Sequence, residues 1–171
     1  MSEHFPKVTY IIIGSKERLS RVKSYQIEKG AECLLCPFQS LEELPSLLDL
    51  KIAELDSSVI SLIPAGAFPK KDARAQLEHF SGSEFHFWGW YHFGNKFKGA
   101  AQSIGKINTL LNKVPQLEQG IFFSRPLYFS VGGLGDSGLN PFAELAKRFY
   151  LRLDPQNPLP SLTIRAKSLL H

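Results

Sequence analysis

The run VTYIII, residues 8–13, is apolar or β-branched at every position and is closed by Gly14-Ser15. A strand with one wet face alternates polar and apolar residues. A strand with no polar face must be covered on both sides, as in a sheet with helices above and below. The flanking segments supply such covers. Ser15 is placed to cap a helix over KERLSRVKSYQIEKG, in which Leu19, Val22 and Tyr25 recur every three residues and Gly30 marks the end. AECLLC then reads as a second short strand. Ser40 followed by Glu43 has the spacing of a capping box, opening a helix to residue 55 with Leu44, Leu47, Leu48, Ile52 and Leu55 on one stripe. SSVISLI (57–63) is a third strand, broken by PAGAFP. Strand, helix, strand, helix, strand predicts a parallel α/β sheet with right-handed crossovers.

The second half is less regular. A helix is expected at about 70–80, then the aromatic stretch EFHFWGWYHFGNKF (84–97), then a helix over 98–112 with Ile104, Ile107 and Leu111 inward. GIFFSR is strand-like, 141–153 is helical, and SLTIRA is a candidate last strand. At 171 residues the chain fits one domain, 1–171. No apolar run approaches the roughly 20 residues that cross a bilayer, and no secretory leader is present, so a cytoplasmic location is expected.

Net charge is +4, with Lys and Arg scattered along the chain. That balance suits a phosphate-bearing ligand or an acidic partner, and no nucleic-acid-binding module accompanies it. Cys33 and Cys36 form a C-x-x-C, but no second ligand pair follows at zinc spacing, and the surrounding run is a strand. Two buried thiols are expected.

In sheets of this kind ligands bind beyond the carboxyl ends of the strands, which here are Gly14-Ser15, Pro37-Phe38-Gln39 and Pro64-Ala65-Gly66. Read in order, IIIGS, GAECLLCP, LIPAGAFP, LEQGIFFSR, VGGLGDSGLNPFAEL and LPSLTIRAKS resemble the small family 2 glycosyltransferases of bacteria over roughly residues 7–168. The resemblance implies a GT-A-like (nucleotide-diphospho-sugar transferase) three-layer α/β sandwich with a mainly parallel sheet. Its chemical positions depart from the family. Where the family carries its metal-binding acid, this chain has Ala65, Gly66 and Ala67, none able to ligate Mg²⁺ or Mn²⁺. Where it carries the carboxylate base, Pro141 and Phe142 stand. The family's early Asp is Ile13 or its neighbour. Its first strand, with a Pro-x-x-Asn-Glu turn, has no counterpart before Lys7. No metal site and no cofactor are therefore expected.

The polar residues left at that mouth are the candidates. Gly14, Ser15 and Lys16 open a helix and can offer backbone N–H groups to a phosphate. Gln119, Arg125 and Arg165 are further ligand-binding candidates. Glu118, Asp136 and Glu144 are candidate catalytic carboxylates, each with an ordinary reading as a solvated acid. As a strand, 85–93 puts Phe85, Phe87, Gly89, Tyr91 and Phe93 on a core face. His86, Trp88, Trp90 and His92 fall on the other, where Trp88 and Trp90 would stack on a sugar or base. The two histidines, about 20 Å apart at ~3.3 Å per residue, share no metal. Three readings follow: a transferase-like protein without metal-dependent transfer that binds a nucleotide, nucleotide-sugar or protein partner; an active metal-independent transferase; or a structural or regulatory interaction domain.

Overall fold

A computed structural model describes residues 7–22, 24–92, 119–137 and 141–164. Its centre is a five-stranded sheet in the order β2-β1-β3-β6-β5. The strands are β1 (Val8–Gly14), β2 (Ala31–Pro37), β3 (Val59–Pro64), β5 (Trp88–Trp90) and β6 (Ile121–Ser124). β1 pairs in parallel with β2 and with β3. β6 runs antiparallel to both β3 and β5. Four strands therefore point one way and β6 points back. A second sheet pairs β4 (Ala67–Phe68) antiparallel with β7 (Thr163–Ile164).

Every residue of β1 is buried, as its unbroken apolar run requires. Ile11 and Ile13 enter one core, while Val8, Tyr10 and Ile12 enter the other. On the first face lie α2 (Leu44–Ala53), α4 (Arg125–Ser130) and α5 (Pro141–Tyr150). On the second lie α1 (Lys16–Ser20), α3 (Lys71–Ser81) and the small sheet. This is a mixed α/β architecture of three layers. α5 shows why it docks as it does: Phe142, Leu145, Ala146 and Phe149 fall at i, i+3, i+4 and i+7, and all are buried. Among the described residues, no helix is long and apolar enough to cross a membrane.

Three expectations change. The helix expected over 16–30 stops after Ser20. Val22, Tyr25 and Ile27 then pack on the second core from an irregular segment, with Ser24 and Gln26 exposed between them. The Tyr25 ring stacks on Phe68 at 4.2 Å, and Glu28 pairs with Arg74 of α3 at 2.7 Å. These contacts hold the segment flat, where a helix would carry Tyr25 elsewhere. The second helix begins at Leu44 rather than at the Ser40 box, with Pro45 in its first turn. Glu43 still reaches back to the backbone N–H groups of Gln39 and Ser40. Its predicted stripe faces inward, with Leu44, Leu48, Ile52 and Leu55 buried and Leu47 partly so. The aromatic strand is shorter than 85–93: regular pairing covers Trp88–Trp90, with a bridge at Tyr91, and Phe85 is 81% exposed. Phe93 and the helix expected over 98–112 lie outside the described residues.

The two edges of the main sheet differ. Along β5 the chain's own 153–159 segment is laid down as a cover. Gln156 and Leu159 donate from their backbone N–H to the Trp88 and Trp90 carbonyls at 2.8 and 2.9 Å, and His92 donates to Leu159 at 2.8 Å. Along β2 no described residue takes that place.

Candidate functional site

The carboxyl end of the parallel strands is tightly stitched. Ala65 N–H donates to the Ile13 carbonyl at 2.7 Å, and Phe38 N–H donates to Gly14 at 3.1 Å. Gly14 is glycine because Ala65 comes so close: a Cβ added there would sit 2.7 Å from the Ala65 Cβ. Beyond it, the Ser15 hydroxyl accepts the Arg18 N–H at 3.3 Å and so caps α1, which is only five residues long. Ser15 and Lys16 are exposed. The Pro64–Gly66 turn, with Gly66 at φ 85°, passes straight into β4. Ala65, Gly66 and Ala67 are all buried, and Ala67 is paired with Ile164 across the small sheet. None of the three positions presents a polar side chain or an exposed surface.

β6 and β5 bring two more candidates to this end. Gln119 precedes β6, is buried, and donates from Nε2 to the Tyr91 carbonyl at 3.2 Å. Gly120 follows with φ 73°, and a Cβ there would lie 2.9 Å from the Leu62 carbonyl oxygen, so only glycine fits. Trp90 lies opposite Ile121. The tryptophan face is not an open wall. Trp88 is 0% exposed and Trp90 9%, both inside the first core. The Trp88 ring lies 4.7 Å from Tyr150 and 5.4 Å from Phe149, and its Nε1 donates to the Leu153 carbonyl at 3.0 Å. Phe87 and Tyr91 fill the second core from the other face, where the Tyr91 hydroxyl bonds Ser61 Oγ at 2.7 Å. Gly89 between the tryptophans leaves room for the Phe122 ring, which a Cβ would meet at 2.6 Å. Residues 87–91 of the stretch are core, covered on both faces because helices stand on both sides of the sheet, while Glu84, Phe85, His86 and His92 are exposed.

Arg125 is at the opposite, amino end of the parallel strands, since β6 runs the other way. Its backbone N–H donates to Ser58 at 2.9 Å. Its guanidinium donates to the Ile52 and Ala53 carbonyls at 3.2 and 3.1 Å and lies over the Phe129 ring at 5.0 Å. It caps the carboxyl terminus of α2, where a cation complements the helix dipole. It therefore does not converge with Lys16.

Asp136 is exposed and follows a glycine-rich turn. Glu144 pairs with Lys147 at 2.7 Å, and that ammonium holds its carboxyl below the usual range. Pro141 and Phe142, at the position the resemblance gives to a base, are buried at the start of α5. Glu118 and Arg165 lie outside the described residues. Cys33 and Cys36 stand on opposite faces of β2, and burial pushes both thiols up, that of Cys33 to about 11.

One polar cluster is not visible in the sequence pattern. Asp49 of α2 accepts the Tyr128 hydroxyl and the backbone N–H groups of Leu134 and Gly135, the latter two at 2.9 Å. Arg148 of α5 donates to the Gly133 and Leu134 carbonyls at 2.7 and 3.1 Å. Gly133, at φ 66°, has the Asp49 carboxylate where a Cβ would be. Burial and the Asp49 carboxylate together push the Tyr128 hydroxyl well above its ordinary range. The available signal was a lone acid inside LPSLLDLKIA, a mostly apolar helix. Its atoms are occupied in clamping the 131–137 turn. Elsewhere, a cavity of about 10 Å³ lies between Tyr10, Glu28, Gly30, Arg74 and Glu78 at the amino end of β1 and β2. That is room for about one water. Among the described residues, no group of three or more His, Cys, Asp or Glu is placed to hold a metal.

No protein-family model matches this chain, and no curated protein matches it in sequence.

Proposed function

We propose that the chain is a glycosyltransferase family 2-like protein on a GT-A-like scaffold that does not carry out metal-dependent sugar transfer and acts by binding a ligand or a partner. The observation that carries this reading is the use made of the chemical positions. Ala65 and Ala67 are buried in the second core, and Phe142 in the first. A GT-A transferase would need those positions to hold a cation against a diphosphate and to take the acceptor's proton. The order of the strand ends, Gly14-Ser15, Pro37 and Pro64 on three adjacent parallel strands, supports the scaffold half of the proposal.

Calorimetric titration of UDP, GDP and their sugars, with and without Mn²⁺, tests it. The expected outcome is that Mn²⁺ and Mg²⁺ leave any nucleotide affinity unchanged. Binding that tightens with Mn²⁺ would refute the reading, since a carboxylate would then have to reach the metal. Release of nucleoside diphosphate from a nucleotide-sugar without metal would instead support a metal-independent transferase.

A further inference from the structure

The edge of β2, which no described residue covers, carries a specific pattern of backbone groups. The Phe38 N–H bonds Gly14 of β1, and the Gly30 carbonyl accepts from Lys7 on the same side. Backbone groups alternate along a strand, so Glu32, Leu34 and Cys36 also face β1, while Ala31, Cys33, Leu35 and Pro37 face outward. The Ala31 N–H is already bonded to the Glu28 carbonyl at 3.1 Å, and Pro37 has no N–H. The outward donors left over are those of Cys33 and Leu35, and no described residue bonds them. Its register with β1 runs from Ala31 to Pro37 without a bulge. It carries none of the lysines that commonly protect an edge, and Leu35 is 45% exposed on it.

We infer that this edge pairs with the β2 of a second copy, antiparallel about a two-fold axis at Leu34. In that register the Cys33 N–H and carbonyl meet the carbonyl and N–H of the other copy's Leu35, and the reverse. Four bonds form and every outward donor of Cys33 and Leu35 is used. The neighbouring registers are poorer. Centring on Leu35 sets Cys33 against Pro37, which has no N–H to give. Centring on Cys33 requires the Ala31 N–H that Glu28 holds. The side chains agree with the axis at Leu34. Leu34 meets its own copy on the first face, Leu35 covers Cys33 on the second, and Glu32 opposes Cys36 rather than another acid. The two five-stranded sheets become one continuous sheet. The other edge is excluded from such pairing by its own 153–159 cover. This inference does not depend on the glycosyltransferase-like reading.

The test is sedimentation of the full chain over a range of concentrations, followed by directed cross-linking. A concentration-dependent dimer is expected. Leu35→Pro removes an N–H that no bond within the sheet uses, and should leave a folded monomer. In a Cys33→Ser, Cys36→Ser background, Leu34→Cys should yield a covalent dimer on mild oxidation, because facing non-hydrogen-bonded residues have Cα atoms about 4.5 Å apart, within disulfide reach. Glu32→Cys in the same background should not, since its two copies are offset along the strands. A chain that stays monomeric and does not cross-link through Leu34→Cys overturns the inference. So does a dimer that survives Leu35→Pro. If Leu35→Pro fails to fold, the cross-linking contrast decides alone.

Discussion

Removing the Trp88 indole tests whether the aromatic stretch is core. The side chain is fully buried, touches Trp90, Phe149 and Tyr150, and bonds the Leu153 carbonyl. Truncating a buried Trp to Ala costs about 3–5 kcal/mol through lost transfer energy and the cavity left behind. The lost hydrogen bond adds about 0.5–1.5 kcal/mol at most, and water can reach the half-buried Leu153 in its place. Against a total stability of about 5–15 kcal/mol, Trp88→Ala should shift the urea midpoint sharply or leave the chain largely unfolded. Trp88 and Trp90 are the only tryptophans in the chain. Single replacement by Phe therefore isolates each emission for iodide quenching. The Trp88 signal should show almost no quenching slope, and the Trp90 signal a shallow one. Quenching of Trp88 as steep as that of free tryptophan, with a stability loss under about 1 kcal/mol on Trp88→Ala, would refute the core assignment and restore an accessible wall.

Three other outcomes are expected. Leu48→Ala, at the centre of the α2 stripe, should lower stability by about 2–5 kcal/mol in urea titration. Asp49→Ala strips three donors of their acceptor, and because the site is partly exposed and its bonds are not additive the loss should be about 2–4 kcal/mol. Asp49→Asn, whose carbonyl can still accept, should recover part of it. In a Cys36→Ala background, iodoacetamide should alkylate Cys33 slowly at pH 8 and faster as pH rises toward 11. Its thiol is raised from 9.0 to about 11 in the fold, so the stability it contributes is complete below pH 9 and is lost as pH climbs from 9 to 11.

The glycines divide what is local from what is not. Gly30 and Gly66 adopt positive φ in turns, which punctuation in the sequence announces. Gly14 and Gly89 have no such φ, and are explained only by Ala65, in the turn after β3, and Phe122 of β6 pressing on them.

Taken alone, the sequence determined the parts that depend on neighbours along the chain. The unbroken apolar run of β1, the inward stripe of α2 and the three parallel strands follow from periods of 2 and 3.6 residues and from the order of the elements. Of the two thiols expected to be buried, Cys36 is and Cys33 is half-buried. Wherever a residue's role depended on which element came to lie beside it, the periods were silent. Tyr25 fits a helical repeat, yet stacking on Phe68 favours an irregular segment. Trp88 and Trp90 fit a ligand wall by alternation, but α5 closes over them. Arg125 follows its strand directly, and the reversal of β6 carries it to the far end of the sheet to cap α2. Asp49 gives little signal in the sequence, because the turn it clamps lies more than eighty residues away. Periodicity reports that a face is buried, and only the packed fold decides what buries it.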